Sequence, residues 1–215
     1  MGILAAIHDL LFPPKCLFCR KVLPSGTARI CNDCTGKLTG LDQVREGRHF
    51  TRCVVPMAYE GTVRDAIIRY KFKDQPGYAT EFGKILGRCI RDHLAGDYDL
   101  ITWIPVSEKR LKQRGYDQAM LLAMAAALEL EDVAVETLQK VADNPAQSSL
   151  TDAAQRATNV KDAYCVPSPE LIQGKRLLLI DDIITTGSTL DEASRTLLEA
   201  GAASVVAAAL AQPIS

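Results

Sequence analysis

The segment LLLIDDIITTGSTL at 177–190 leaves few folds open to this chain. Four consecutive apolar residues, Leu177 to Ile180, read as a strand buried on both faces, and such strands belong to parallel sheets covered by helices. Asp181 and Asp182 follow at once, at the carboxyl end of the strand, where open α/β sheets bind their ligands. Ile183 and Ile184 pack the turn, after which Thr185, Thr186, Ser188 and Thr189 supply hydroxyls and Gly187 lets the backbone approach closely. The helix that follows aims free N–H groups at an anion, and a monophosphate fits such a cradle. Two carboxylates beside it repel a bare polyphosphate, but they accept hydrogen bonds from vicinal hydroxyls and hold Mg²⁺ through water. A ribose 5-phosphate meets both requirements. The plainer alternative is a βα turn with one Thr or Ser as the helix cap and solvated Asp residues, yet a cap needs only one such residue.

The chain around this segment repeats the same grammar. Strands are expected at 53–59, 100–106, 133–138, 176–180 and 204–210, and helices from Val63, from Thr80, over 117–130 and from Ser188 to Gly201. Strands alternating with helices imply βαβ units, so the fold class is α/β, with a mostly parallel sheet flanked by helices. At 215 residues the chain suits one full domain and a small appendage, which we divide as 1–48 and 49–215. No apolar run reaches the length of a membrane-spanning helix. Lys and Arg number 25 against 26 Asp and Glu, so no global basic field draws the protein onto nucleic acid and any polyanion site is local.

The appendage carries Cys16-x2-Cys19 and Cys31-x2-Cys34, with few large apolar residues of its own. Two such pairs fit one tetrahedral Zn²⁺, and four thiolates leave no open coordination position, so the metal is expected to be structural. This use of cysteine belongs to a reducing compartment and suggests the cytoplasm. Cys53, Cys89 and Cys165 lie in apolar patterns and read as core, and His8, His49 and His93 have no spacing that suggests catalysis. Ile3, Leu4, Ile7, Leu10 and Leu11 fall at helical spacing before Pro13-Pro14, so a short amphipathic helix docking on the rest is expected there.

Two further stretches carry charge or polarity. Lys109, Arg110, Lys112 and Arg114 crowd a loop after the strand at 100–106, and such a loop either neutralises a diphosphate or is a solvated basic turn. From Lys140 to Val160 the sequence is polar, which reads as a functional loop or as a surface helix at 151–158.

The segment at 177–189 resembles the PRPP-binding signature of type I phosphoribosyltransferases, and the chain elsewhere is similar to the ComF family, which couples a zinc ribbon to such a domain. The matching pieces are the cysteine pairs, Tyr59-x-Gly61-x2-Arg64 through Lys71-Phe72, Pro105-Val106 with Arg110 and Arg114-Gly115-Tyr116, Gln147-x2-Leu150 with Arg156 and Asn159, and the signature itself. Two departures are Ser107, where the family usually has a second proline, and Tyr116-Asp117-Gln118, where it usually has Phe-Asn-Gln. The resemblance implies PRPP as substrate, with Mg²⁺ and an unidentified nitrogen acceptor. Asp181 and Asp182 would then be catalytic and hold the ribose, Thr185 to Thr189 the 5-phosphate, and Lys71, Lys109, Arg110 and Arg114 the diphosphate. It further implies a mobile hood bearing Gln147, Arg156 and Asn159. Its alternative implication is an accessory role in DNA uptake during natural competence, with a DNA-translocating helicase or single-stranded DNA as partner.

Overall fold

The structure is a computed structural model, described here over residues 13–24, 29–38, 43–72, 75–141 and 162–214. The expected N-terminal helix and the stretch bearing Gln147, Arg156 and Asn159 lie outside the described residues.

The strands are β1 Gln43–Arg45, β2 Cys53–Val55, β3 Met57–Ala58, β4 Leu100–Trp103, β5 Gln139–Lys140, β6 Tyr164–Cys165, β7 Arg176–Ile183 and β8 Ser204–Gln212. The main sheet runs β1-β2-β8-β7-β4, with β3 also beside β8. Every pairing in it is parallel except that of β1 with β2. The run at 53–59 is broken at Pro56, which has no N–H to give to a ladder. The helices are α1 Asn32–Leu38, α2 Gly61–Phe72, α3 Tyr78–Leu94, α4 Glu108–Arg114, α5 Gln118–Glu129 and α6 Ser188–Glu199.

Side chains alternate across a strand, so each strand of this sheet feeds two cores. Leu178 and Ile180 of β7, Val206, Ala208 and Leu210 of β8, and Ile101 and Trp103 of β4 pack with α2, α3 and α5. Leu177 and Leu179 of β7 and Val205, Ala207 and Ala209 of β8 pack instead with α6 and Phe50.

Two expectations are corrected. The strand at 133–138 does not form, because its apolar residues make no buried row: Val133 is 67% exposed, and only Ala134 bridges Ile101 in parallel. Thr137 instead hydrogen-bonds Thr102 through the hydroxyls at 2.7 Å, and the chain leaves to form β5 against β6. The basic stretch after β4 is a helix rather than a loop. Ser107 caps α4 by accepting from the Arg110 N–H at 3.4 Å, and Gly115, in the left-handed region at φ 77°, closes it.

The cysteine module is built into the same core. Leu17 and Phe18 are 3% and 2% exposed, the Phe18 ring lies 6.1 Å from Phe82, and Phe82 meets Tyr70 edge-on at 5.5 Å. Arg69 of α2 donates to the carbonyls of Leu17 and Phe18, each at 2.8 Å, and Arg20 donates to the Tyr78 hydroxyl at 2.9 Å. Gln43–Arg45, which precede residue 48 in the chain, supply the edge strand of the main sheet. No helix among the described residues is long and apolar enough to cross a membrane.

Candidate functional site

β7 does not stop at Ile180 but runs on to Ile183, so Asp181 and Asp182 lie within the strand and their side chains leave on opposite faces. Asp182 enters the face of α2 and α5. Its carboxylate is 6% exposed, and Oδ1 lies 2.8 Å from Lys71 Nζ, itself only 16% exposed at the end of α2. Asp182 Oδ2 is buried without a hydrogen-bond partner among the described residues. Asp181 turns toward the opposite face and accepts the Asp182 N–H at 2.7 Å through Oδ1.

Burial and, after it, repulsion from Asp182 push the Asp181 carboxyl up to about 7, against the pull of Lys71, the Asp182 N–H and Lys140. An unfolded Asp titrates near 3.9, so the stability that protonated Asp181 contributes is complete below about pH 4 and is lost as the pH rises through about 7. Asp181→Asn cannot ionise. Its melting temperature relative to the parent should therefore be higher at pH 8 than at pH 4, and paired thermal melts at the two pH values check this.

The turn after β7 is an open loop with one tight corner. Ile184 is buried beneath it, Thr185 and Thr186 are exposed, and Gly187 at φ 86° begins α6 in a conformation that side-chain-bearing residues rarely adopt. Thr186 Oγ1 and Ser188 Oγ share a hydrogen bond at 2.8 Å, and Thr186 Oγ1 also accepts the Ser188 N–H, the first of α6, at 3.4 Å. A hollow of about 10 Å³ is lined by Asp181, Ile183 to Thr185 and Gly187 to Leu190. The loop is held from the other side by Arg45, which donates to the Thr185 carbonyl at 2.7 Å.

α4 sorts the basic residues by face. Arg110 and Arg114, four apart, are both half-buried, and Asp182 exerts the largest favourable electrostatic effect on Arg114, against the burial and the Arg110 charge that oppose its protonation. The Arg114 guanidinium lies 4.6 Å from the Phe72 ring centroid. Lys109 is exposed, and Lys112 is drawn to Glu108 at 3.7 Å. Asp117, the departure that adds a negative charge here, serves α5: it accepts from the N–H groups of Ala119, Met120 and Val106 at 2.9–3.0 Å. It thereby ties the end of β4 to the start of α5, and burial pushes its carboxyl up.

A cavity of about 590 Å³ borders the loop on the side away from α4, walled by Arg45 to Phe50, by Thr186–Ser188 and by the first turns of α6. His49, which reads as structural in the sequence, donates its backbone N–H to Asp191 Oδ1 at 2.7 Å and places Nδ1 3.0 Å from Asp191 Oδ2. The sequence hid this wall because 45–50 shows neither helical nor alternating periodicity and reaches the loop only through the fold.

Cys16, Cys19, Cys31 and Cys34 bring their sulfurs within 4.8 Å of one another. A tetrahedral centre with Zn–S bonds of about 2.3 Å needs sulfurs about 3.8 Å apart, and Cys19 and Cys31 Sγ stand at 3.7 Å. Burial opposes ionisation of Cys16, yet the backbone groups of Cys31, Cys19 and Phe18 pull its thiol down to about 6, while burial and the neighbouring thiols push Cys34 up. Sulfurs that compete for one charge in this way suit a bound cation, and the donor set fits structural zinc.

A model of the phosphoribosyl transferase domain matches residues 117–215, and one of the double zinc ribbon domain matches residues 7–66. Among known proteins the chain is similar to Competence protein F of Haemophilus influenzae, at 25% identity over 210 residues, 87% of this chain and 92% of that one. It is also 34% identical over 108 residues to the DNA utilization protein YhgH of Salmonella typhi, which is 50% of this chain and about half, 46%, of the relative. Among solved structures, glutamine phosphoribosylpyrophosphate (PRPP) amidotransferase from B. subtilis aligns at 20% identity and a TM-score of 0.44, over 66% of this chain and 30% of that chain.

Proposed function

Because this chain belongs to the ComF family, with a zinc ribbon ahead of a phosphoribosyltransferase domain, we propose that it binds PRPP and transfers phosphoribose to a nitrogen acceptor. The observation that carries the reading is the course of β7, which leads from the core through Asp181 and Asp182 into the Gly187 corner, with Lys71 paired to Asp182 and Arg114 within its electrostatic reach. In this reading Asp181 and Asp182 accept the ribose hydroxyls, and the Thr185–Thr189 loop receives the 5-phosphate. Lys71, Lys109, Arg110 and Arg114 take the diphosphate.

The bond from the anomeric carbon to the diphosphate oxygen breaks as the acceptor nitrogen bonds to that carbon. The negative charge gathering on the leaving oxygens is stabilised by the guanidinium groups, so positioning and electrostatics suffice. Asp181, poised near neutrality, takes the proton the acceptor nitrogen releases. The unpartnered Asp182 Oδ2 fits a hydroxyl donor or a hydrated Mg²⁺, and Mg²⁺ when bound would offset the diphosphate charge. Gln147, Arg156 and Asn159 would close over the substrate and exclude water.

Calorimetric titration with PRPP and Mg²⁺ tests the site. We expect the double variant Asp181→Asn, Asp182→Asn to weaken binding by at least about tenfold, the loss of about one charge-assisted hydrogen bond. Binding indifferent to both substitutions would reject it.

A second reading rests on the Lys71–Asp182 ion pair, in which a proposed diphosphate ligand occupies a proposed ribose ligand, and on the relatives' names. There the protein binds PRPP without turnover and acts as an accessory in DNA uptake, with its zinc ribbon touching a DNA-translocating helicase or single-stranded DNA. Diphosphate release measured over a panel of bases and amines separates the two readings. Cysteines kept reduced at the metal centre, with no disulfide among the described residues, favour the cytoplasm in either.

A further inference from the structure

Consecutive residues at the end of α2 reach different parts of the molecule. Arg69 Nη2 donates to the carbonyls of Leu17 and Phe18, each at 2.8 Å, and these are the residues between Cys16 and Cys19. The Tyr70 hydroxyl donates to the Gln118 carbonyl at 2.6 Å, at the start of α5, and the Tyr70 carbonyl accepts from the Tyr116 hydroxyl. Lys71 pairs with Asp182, and the Phe72 ring carries the Arg114 guanidinium over its face. A single helical turn therefore joins the cysteine knuckle to two of the groups read above as diphosphate ligands, Lys71 and Arg114.

The chemistry at each end of this turn shows why the joint is tight. Within the knuckle, the Cys31 N–H donates to Cys16 Sγ at 3.4 Å, and backbone groups of Cys19 and Phe18 act on the same sulfur. The Leu17 and Phe18 carbonyls are taken up by Arg69. A basic residue that served only the helix dipole would do so from solvent. Arg69 is instead half-buried, with Nε buried and without a hydrogen-bond partner among the described residues, a desolvation cost that its two carbonyls offset. At the other end, α4 carries Lys109, Arg110 and Arg114 yet buries none of its side chains. Besides its caps, α4 is placed by Tyr116 against Tyr70 and by Arg114 against Phe72.

We propose that Arg69 is a positioning residue for the PRPP site: by clamping the end of α2 to the cysteine knuckle it sets Lys71 and Arg114 where the diphosphate binds, and so couples the zinc centre to that site. This rests on the PRPP reading and on Lys71 and Arg114 as diphosphate ligands. Coupling between two binding sites is reciprocal, so the factor by which zinc tightens PRPP is also the factor by which PRPP tightens zinc.

The test is calorimetry with PRPP and Mg²⁺ on the zinc-loaded full chain, for the parent, Arg69→Met and Arg69→Lys, beside competition for zinc against a chromogenic chelator with and without PRPP. Arg69→Met should keep its zinc yet bind PRPP about fivefold or more weakly, the lower end of ordinary coupling between sites. Arg69→Lys keeps the charge without the guanidinium fork and should recover part of that loss. Saturating PRPP should raise the parent's zinc affinity, and Arg69→Met should abolish most of that rise. A residue that only stabilised the fold would lower the melting temperature and leave the PRPP affinity of folded protein unchanged. Parent-like PRPP binding by Arg69→Met, or a parent zinc affinity indifferent to PRPP, overturns the inference and leaves the PRPP reading intact. If Arg69→Met does not hold zinc, Arg69→Lys and the competition on the parent decide by the same criteria. Absence of PRPP binding by the parent ends both.

Discussion

Lys71→Met is expected to destabilise the protein by about 3–5 kcal/mol, because it strands a charge in the interior. Lys71 Nζ and Asp182 Oδ1 are 2.8 Å apart with side chains 16% and 6% exposed, so little water reaches either to compensate for a lost partner. Burying an ion pair costs desolvation, and a pair replaced by apolar residues of similar volume is often no less stable. The double variant Lys71→Met, Asp182→Leu should therefore recover much of what Lys71→Met loses. Urea unfolding of the parent, both single variants and the double variant closes the cycle. A loss under about 1 kcal/mol for Lys71→Met would place the pair among the solvated ones. The same pair bears on ligand binding, since a hydroxyl that reaches Asp182 Oδ1 must share that oxygen with Lys71.

Metal removal should have the second large effect. The cysteine module has little core of its own, and what it has, Leu17 and Phe18, lies against Phe82 and beneath Arg69. Losing the metal should unfold the knuckle and expose that apolar face together. We expect a chelator to lower the melting temperature by about 10 °C or more, which for a chain of this size corresponds to a few kcal/mol. Cys31→Ser should reproduce it. A melt unchanged by chelator would mean that the packing of Phe18 alone holds the module.

Legibility followed periodicity. The parallel sheet, the four long helices and the acid-to-loop segment could be read because apolar runs, 3.6-residue spacing and Gly187 are local signals. α4 was not, since the seven residues EKRLKQR bury no side chain and are held by caps at Ser107 and Gly115. The strand expected at 133–138 failed for the converse reason, alternation without a buried row. Lys71 and Asp182 were both candidates, but 111 residues separate them in the chain (182 − 71), and only the fold makes them one ion pair. The wall at 45–50 left no trace, because its contacts with Thr185 and Asp191 span more than a hundred residues.

The order of strands also bears on how the molecule is made. β8 follows every other strand of the main sheet in the chain, yet it stands between β2 and β7 and joins them. While the chain leaves the ribosome, Cys53 and Val54 can pair with β1 on one side, but their other side has no partner until Ala207 and Ala208 emerge. Synthesis would thus hold open an unpaired hydrophobic margin for most of its duration, an interval in which a chaperone or a neighbouring nascent chain competes for it.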